Sequence, residues 1–218
     1  MTVASTGSGH SAFEVTDLGR MGYREAFERQ LTEHERVLGL REGGSPIVGS
    51  LLLVEHDPVV TVSRRPSARE HLLATPEMLE SQGIEVCETD RGGDITYHGP
   101  GQIVVYPIVD LNRVGLNLHG YMRLLEDAVI ATCVAFGVRA DREPGATGVW
   151  ISSERWGGKR AKVCALGVRV RRWVTMHGLA LNVRTDLEHF STIVPCGLAG
   201  RSVTSLELEL GTRCPTQR

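Results

Sequence analysis

Apolar residues recur along this chain in two rhythms. From Tyr23 to Leu38 they fall at Tyr23, Phe27, Leu31 and Leu38 with charges between them, the spacing of one helical stripe, and Gly39, Gly43 and Gly44 mark its end. A second helix is predicted from Thr75-Pro76, an N-cap followed by a first-position proline, to Gly83. The strongest runs over His119–Phe136, with Tyr121, Leu124, Leu125, Ala128, Val129, Thr132 and Phe136 on one face and Gly137 as its stop. A short helix over Ser202–Leu210 is expected to close the chain. The other rhythm is that of strands. Ser50–Glu55 and Val59–Ser63 read as a strand pair joined by a tight turn at His56-Asp57-Pro58, and Ile84–Glu88 and Gln102–Asp110 as further strands. Gly148–Ser152, Lys162–Arg171 and Trp173–Val183 follow, with Val168, Arg169, Val170 and Arg171 alternating as a strand with one solvated face does. Residues 1–13 are rich in Ser, Gly and Thr and read as a tail. With neither internal repeat nor linker, residues 14–218 read as one domain of the α+β, or mixed α/β, class.

Composition narrows the picture without naming a function. The 218 residues are 41% hydrophobic and 23% charged, which is globular rather than disordered or fibrous. A chain of this size buries roughly 70% of its unfolded surface and needs no staple. A net charge of -2 gives no prior for nucleic acid, and no apolar run approaches a membrane span. The N-terminus lacks a basic segment followed by an apolar one, so a cytoplasmic protein is expected. Cys87, Cys133, Cys164, Cys196 and Cys214 form no CxxC pair, and in a reducing compartment they are expected as free thiols, mostly buried and inert.

Four segments carry candidate chemistry. Arg91-Gly92-Gly93-Asp94-Ile95-Thr96-Tyr97-His98-Gly99-Pro100-Gly101-Gln102 packs four glycines between two strands, a loop whose backbone can approach a ligand or simply turn. It is neither a P-loop nor GxGxxG. In Pro195-Cys196-Gly197-Leu198-Ala199-Gly200-Arg201-Ser202 the thiol precedes small residues and an arginine, a setting for a nucleophilic thiolate or for a structural cysteine. Lys162 opens an apolar strand ahead of Val163-Cys164-Ala165-Leu166-Gly167, where it is either drawn inward as a base or thiolate partner or snorkels to water. Met176-His177-Gly178-Leu179-Ala180-Leu181-Asn182 places a glycine inside a strong strand, where a ligand can press on backbone. His56 is positioned to line a pocket, His119 to start a helix, and His10, His34, His71 and His189 read as surface. No histidine spacing matches a metal set, so no metal and no cofactor are expected.

Together these segments resemble the octanoyltransferases of lipoate biosynthesis, the lipoyl(octanoyl) transferases. The Arg91–Gln102 run matches that family's signature almost letter for letter, and Glu55–Pro58, Lys162–Val170, His177–Asn182 and Pro195–Ser205 follow in the family's order. The resemblance implies a biotin/lipoate protein ligase-like fold, with mixed, largely antiparallel sheets covered by helices. It implies transfer of octanoyl from octanoyl-acyl carrier protein to a lysine of lipoyl domains in 2-oxoacid dehydrogenase complexes and of the glycine cleavage H protein. Cys196 would form the acyl thioester with Lys162 as its acid/base partner. Substrate would lie against Arg91, Gly92, Gly93, Asp94, Ile95, Thr96, Tyr97 and His98, together with Ala165, Leu166, Gly167, Gly178, Leu179 and Ala180. A monomer with neither nucleic-acid nor membrane partners is expected. Burying the acyl methylenes is worth up to ~5 kcal/mol at roughly 0.8 per CH2. Lys159 lies three residues before Lys162, after an insertion-like Ser152–Gly158, but Lys162 directly precedes the Val-Cys-Ala-Leu-Gly strand as the family's lysine does. Cys164 stands where the family usually has a small residue and is expected in the core. An ATP-dependent ligase of the same fold and a non-catalytic module that shelters carrier protein are the rival readings.

Overall fold

The computed structural model describes residues 12–194, 201–212 and 214. In chain order the elements are β1 (Ala12–Met21), α1 (Tyr23–Glu42), β2 (Ile47–His56), β3 (Val59–Ser63), α2 (Pro76–Ser81), β4 (Glu85–Thr89), β5 (Ile95–His98), β6 (Gln102–Val109), α3 (Leu118–Ala135), β7 (Ala140–Glu143), β8 (Ala146–Ser152), β9 (Arg160–Arg171), β10 (Val174–Asn182), β11 (Ser202–Val203) and α4 (Leu206–Leu210). Among the described residues the strands form two sheets. The larger runs β1-β2-β6-β10-β9-β8-β7 with β11 added beside β9, and the smaller runs β4-β3-β5. Pairing is antiparallel except for β1 with β2, β3 with β4 and β11 with β9, so the fold is α+β with mixed, largely antiparallel sheets.

Each face of the large sheet has its own cover. Val54, Val104, Tyr106, Met176 and Ala180 meet Ala26, Val37 and Leu38 of α1 on one side. Leu179, Leu181, Val149 and Val163 meet Tyr121, Leu125 and Val129 of α3 on the other. A third core joins the small sheet to Leu79 of α2, Phe190 and Ile193. Thr75 caps α2 as expected, accepting from Met78 N at 3.3 Å.

Several expectations are corrected. The two strands flanking His56-Asp57-Pro58 do not pair: β2 bonds β1 and β6, whereas β3 bonds β4 and β5, so that turn carries the chain from one sheet to the other. Ala12 and Phe13, assigned to the tail, already belong to β1; the rest of that tail lies outside the described residues. Helix α1 continues through Gly39 to Glu42. Helix α3 buries Tyr121, Leu125, Val129 and Cys133, while Leu124 and Phe136 of the expected face are exposed. Leu124, Ala128 and Thr132 instead border an apolar groove beside β6. Ser202 does not start a helix: it pairs with Ala161 in β11, and Ser205 caps the shorter α4. His34 is buried against Arg171 O rather than on the surface.

Candidate functional site

The site is built where the small sheet lies over the α1 face of the large one. Its floor is a square of small residues in register, Ala165 opposite Ala180 and Gly167 opposite Gly178. Its roof is the glycine-rich run, which is not one loop as expected because Ile95–His98 within it form β5 against β3, and Tyr23, Val104, Tyr106, His98 and His177 make its walls. The resulting cleft is lined by Arg91, Gly93, Asp94, Ile95, Thr96, His98, Ala165, Leu166, Gly167, Gly178, Leu179 and Ala180 among the residues expected from sequence. A smaller cavity shares Thr96, Ala165 and Ala180 with it and reaches Lys162, Gln102 and Asn182.

The glycines act by letting backbones touch. Gly92 N donates to Val168 O at 2.9 Å, and a side chain on Gly167 would come within 2.6 Å of Gly92 O, so the roof can settle on the floor only without Cβ atoms there. At Gly178, which also lines the cleft, a Cβ would meet Val105 O of the neighbouring strand at 2.2 Å. Gly92 is outside the lining, and so is Tyr97. Alternation along β5 sends Tyr97 away from the cleft into the third core, where it packs on Phe190 and its hydroxyl bonds His189 Nδ1 at 2.8 Å.

Lys162 and Lys159 have opposite surroundings. Lys159 is exposed, whereas Lys162 is 6% exposed with Nζ 4.8 Å from the centre of the Trp150 ring. Gly148 makes room for the Lys162 stem; a Cβ there would stand 3.1 Å from Lys162 Cε. Cys196 lies outside the described residues. On the chain before it, Val194 N donates to His71 O at 2.8 Å; after it, Arg201 lies 5.4 Å from the same Trp150 ring and Val203 pairs with Lys162. The described thiols Cys87, Cys133, Cys164 and Cys214 are free and buried. Burial pushes Cys87 and Cys133 up to about 11 and Cys164 higher still, so these thiols stay protonated and inert.

A buried polar network ties roof to floor. His98 Nδ1 lies 2.7 Å from Gln102 Oε1, Gln102 Nε2 donates to Asn182 Oδ1 at 2.9 Å, Asn182 Nδ2 to Thr204 O at 3.0 Å, and Thr204 N to Lys162 O at 2.9 Å. Because the amide oxygen can only accept, His98 carries its proton on Nδ1. His56 sits behind the wall instead of lining it: its Nδ1 faces Met21 O at 3.2 Å and its Nε2 faces Tyr106 OH at 2.7 Å. His71 is half-buried, with Nδ1 2.7 Å from Asp94 Oδ1. Arg91 Nη2 donates to Thr61 O at 3.0 Å and Thr61 Oγ1 at 2.9 Å, which fixes the start of the loop. Among the described residues no three His, Cys, Asp or Glu side chains cluster as a metal site requires.

The chain as a whole has counterparts in known proteins. Residues 25–218 match the lipoyl protein ligase A/B catalytic domain. An octanoyltransferase of Christiangramia forsetii is 45% identical over 206 residues, covering 92% of this chain and 87% of its own. The chain belongs to the octanoyltransferase family. Another octanoyltransferase, from Acidobacterium capsulatum, is 48% identical over 204 residues, 88% of this chain and 78% of its own. The fold is shared more widely. Lipoate-protein ligase A bound with ATP superposes with a TM-score of 0.63 at 17% identity over 88% of this chain and 75% of its own. The bipartite lipoate protein ligase of Thermoplasma acidophilum does so with 0.63 at 18%, over 88% and 74%.

The electrostatics of the cleft follow from burial. Desolvation lowers His56 to about 4 and His98 to about 3, so both rings are neutral near pH 7 and His98 serves as a hydrogen-bonding wall rather than a proton store. Their ordinary value is 6.5. As pH falls through 6.5 the unfolded chain takes up protons that the folded one refuses, so stability is lost from there down to about 4 for His56 and about 3 for His98. By pH 4 the loss is on the order of 3 kcal/mol for each ring. Urea melts at pH 7, 5.5 and 4.5 check this; a His98→Gln variant whose pH slope matched the parent's would show that His98 contributes nothing to it.

The sequence missed Tyr23, Val104, Tyr106 and His177 of the lining, and Trp150 and Gly148 beside Lys162. Tyr23 looks like one more apolar position of α1, and Val104 and Tyr106 like ordinary members of a buried strand. Gly148, a glycine opening a strand, was the one available signal.

Proposed function

We propose that the chain transfers an octanoyl group from octanoyl-acyl carrier protein to a lysine of lipoyl domains, in 2-oxoacid dehydrogenase complexes and the glycine cleavage H protein, through a thioester on Cys196. The observation that carries this reading is the adjacency of the apolar cleft to the cavity beside Lys162, the two sharing Thr96, Ala165 and Ala180 in their linings. An acyl chain laid on the Ala/Gly floor has its carbonyl end toward Lys162. The Cys196 thiolate attacks the carrier's thioester carbonyl, and collapse of the tetrahedral intermediate expels the carrier thiolate. The acceptor's amine then attacks the enzyme thioester, loses a proton and releases the Cys196 thiolate. Lys162 as ammonium favours the thiolate; as amine it takes the acceptor's proton. The neutral His98 and the Gln102–Asn182 amides hold the loop over the chain without introducing charge beside it. The enzyme works as a monomer in the cytoplasm, needing no cofactor.

Intact mass measurement during incubation with octanoyl-acyl carrier protein, without ATP, tests the scheme. The expected result is a hydroxylamine-labile octanoyl adduct on Cys196 that disappears as added lipoyl domain gains octanoyl. Transfer that requires free octanoate and ATP would make the chain a ligase, and carrier protein bound with no transfer would make it a sheltering module.

A further inference from the structure

His177 breaks the alternation of its own strand. Along β10, Met176 and Ala180 face α1 while Leu179 and Leu181 face α3, so period two assigns His177 to the α3 side. A backbone φ of +58° turns it over instead. Its ring stacks on Phe27 of α1 at 5.6 Å and 13°, its Nε2 lies 2.8 Å from Asp90 Oδ1, and its backbone N donates to Gln30 Oε1 at 2.8 Å. Asp90 is in turn paired with Arg169. A left-handed conformation at a non-glycine residue in mid-strand persists only where its surroundings over-determine it, and such residues concentrate at functional sites. The ring so held is 1% exposed and forms part of the cleft wall.

Its place along the cleft gives it a task. Moving away from Lys162 along β9, the floor passes the Ala165–Ala180 pair, then Gly167–Gly178, and reaches Val168–His177 last. From Ala165 to Val168 is three residues, roughly 10 Å at about 3.3 Å each. An eight-carbon chain has seven carbon–carbon bonds, and an extended chain advances roughly 1.2 Å per bond (about 3.6 Å over the three backbone bonds of a residue), which makes about 8 Å. We propose that His177 is the stop against which the methyl end of the acyl chain abuts, and so sets the number of carbons the cleft accepts. This rests on the reading that the acyl chain lies on the Ala/Gly floor with its carbonyl toward Lys162. A stop must not yield. Asp90 and Phe27 hold the ring, Gln30 holds its backbone N, and Tyr106 meets the ring edge-on at 6.4 Å.

The test is a competition. Octanoyl-, decanoyl- and dodecanoyl-acyl carrier protein are supplied together with a lipoyl domain, and the acylated products are weighed. His177→Gly removes the ring while tolerating the left-handed backbone. His177→Asn, a residue that also tolerates φ above zero, shortens the stop. The parent is expected to favour octanoyl. His177→Gly should move the dodecanoyl-to-octanoyl ratio of kcat/KM at least tenfold toward the longer chain, and His177→Asn should move it the same way by less. If His177→Gly fails the circular-dichroism check for folding, His177→Asn decides alone. An unchanged ratio in a folded variant, with all three rates lowered in parallel, would overturn the assignment and leave His177 a structural residue. A parent that acylates with none of the three would instead overturn the reading of the cleft itself.

Discussion

Octanoyl transfer by Lys162→Ala is expected to fall by about three orders of magnitude at neutral pH, the middle of the range for a positioned proton-transfer group. The fold has already committed to this side chain: it is 6% exposed, its stem passes the open space at Gly148, and its ammonium lies against Trp150. Such an investment in a buried cation favours a role in which its charge or its proton is used. Both half-reactions lose from its removal, because the thiolate is less favoured and the acceptor amine has no base. Alanine removes the charge together with the stem, so Tm should move far less than the rate. Steady-state transfer at pH 7, with thermal melts alongside, checks both statements. Lys159→Ala, on an exposed connection, should keep the parent's rate within about twofold; a loss there equal to that of Lys162→Ala would shift the role to the other lysine.

Cys196→Ala is expected to do more, removing transfer to below detection along with the enzyme-bound octanoyl mass, since no other described thiol can substitute. Cys164 is the nearest rival in sequence to Lys162, but it is 0% exposed in the α3 core and its pKa is pushed far up by burial. Cys164→Ala should therefore keep the transfer rate within about threefold while costing on the order of 1 kcal/mol for the lost sulfur. The chain on either side of Cys196 is held by different parts of the fold, Val194 by His71 on the connection after β3 and Val203 by its pairing with Lys162 in the large sheet. Peptide mapping of the octanoyl adduct discriminates: label on Cys164, or residual full transfer in Cys196→Ala, would remove Cys196 from the scheme.

What the sequence made legible was what small residues and polar loops announce. Gly178 stands out in a strand otherwise filled with larger side chains, and the glycines of the Arg91–Gln102 run mark either a ligand-binding loop or a turn. The convergence of Ala165, Gly167, Gly178 and Ala180 on one site is legible only through the family resemblance; the structure brings them together through the pairing of β9 with β10. What stayed hidden depends on partners far away in the chain. His56-Asp57-Pro58 looks like a hairpin turn, yet whether its flanking strands pair is decided by β6 on one side and β4 and β5 on the other. Strand β1 carries Glu14, Thr16, Asp17 and Arg20, with no apolar period to betray it, because it lies at the sheet's edge. The hairpin between β9 and β10 turns on Arg172 and Trp173, both at positive φ, where glycine or asparagine would have been the visible sign. Tyr97 and His177 show opposite failures: one obeys alternation and leaves the cleft, the other defies it and enters.

That edge strand sets a limit on trimming the gene. Tyr23, where the first helix begins, is a natural place to start a shortened protein, since what precedes it reads as polar and dispensable. Cutting there deletes Met21, whose carbonyl faces His56 Nδ1, while His56 Nε2 faces the hydroxyl of Tyr106 in the cleft wall. It also strips β2 of its parallel neighbour and leaves a ten-residue strand open to pairing with other molecules. A protein starting at Tyr23 would thus be prone to self-association and have a loosened wall, whereas one starting at Ala12 keeps both the seal and the wall.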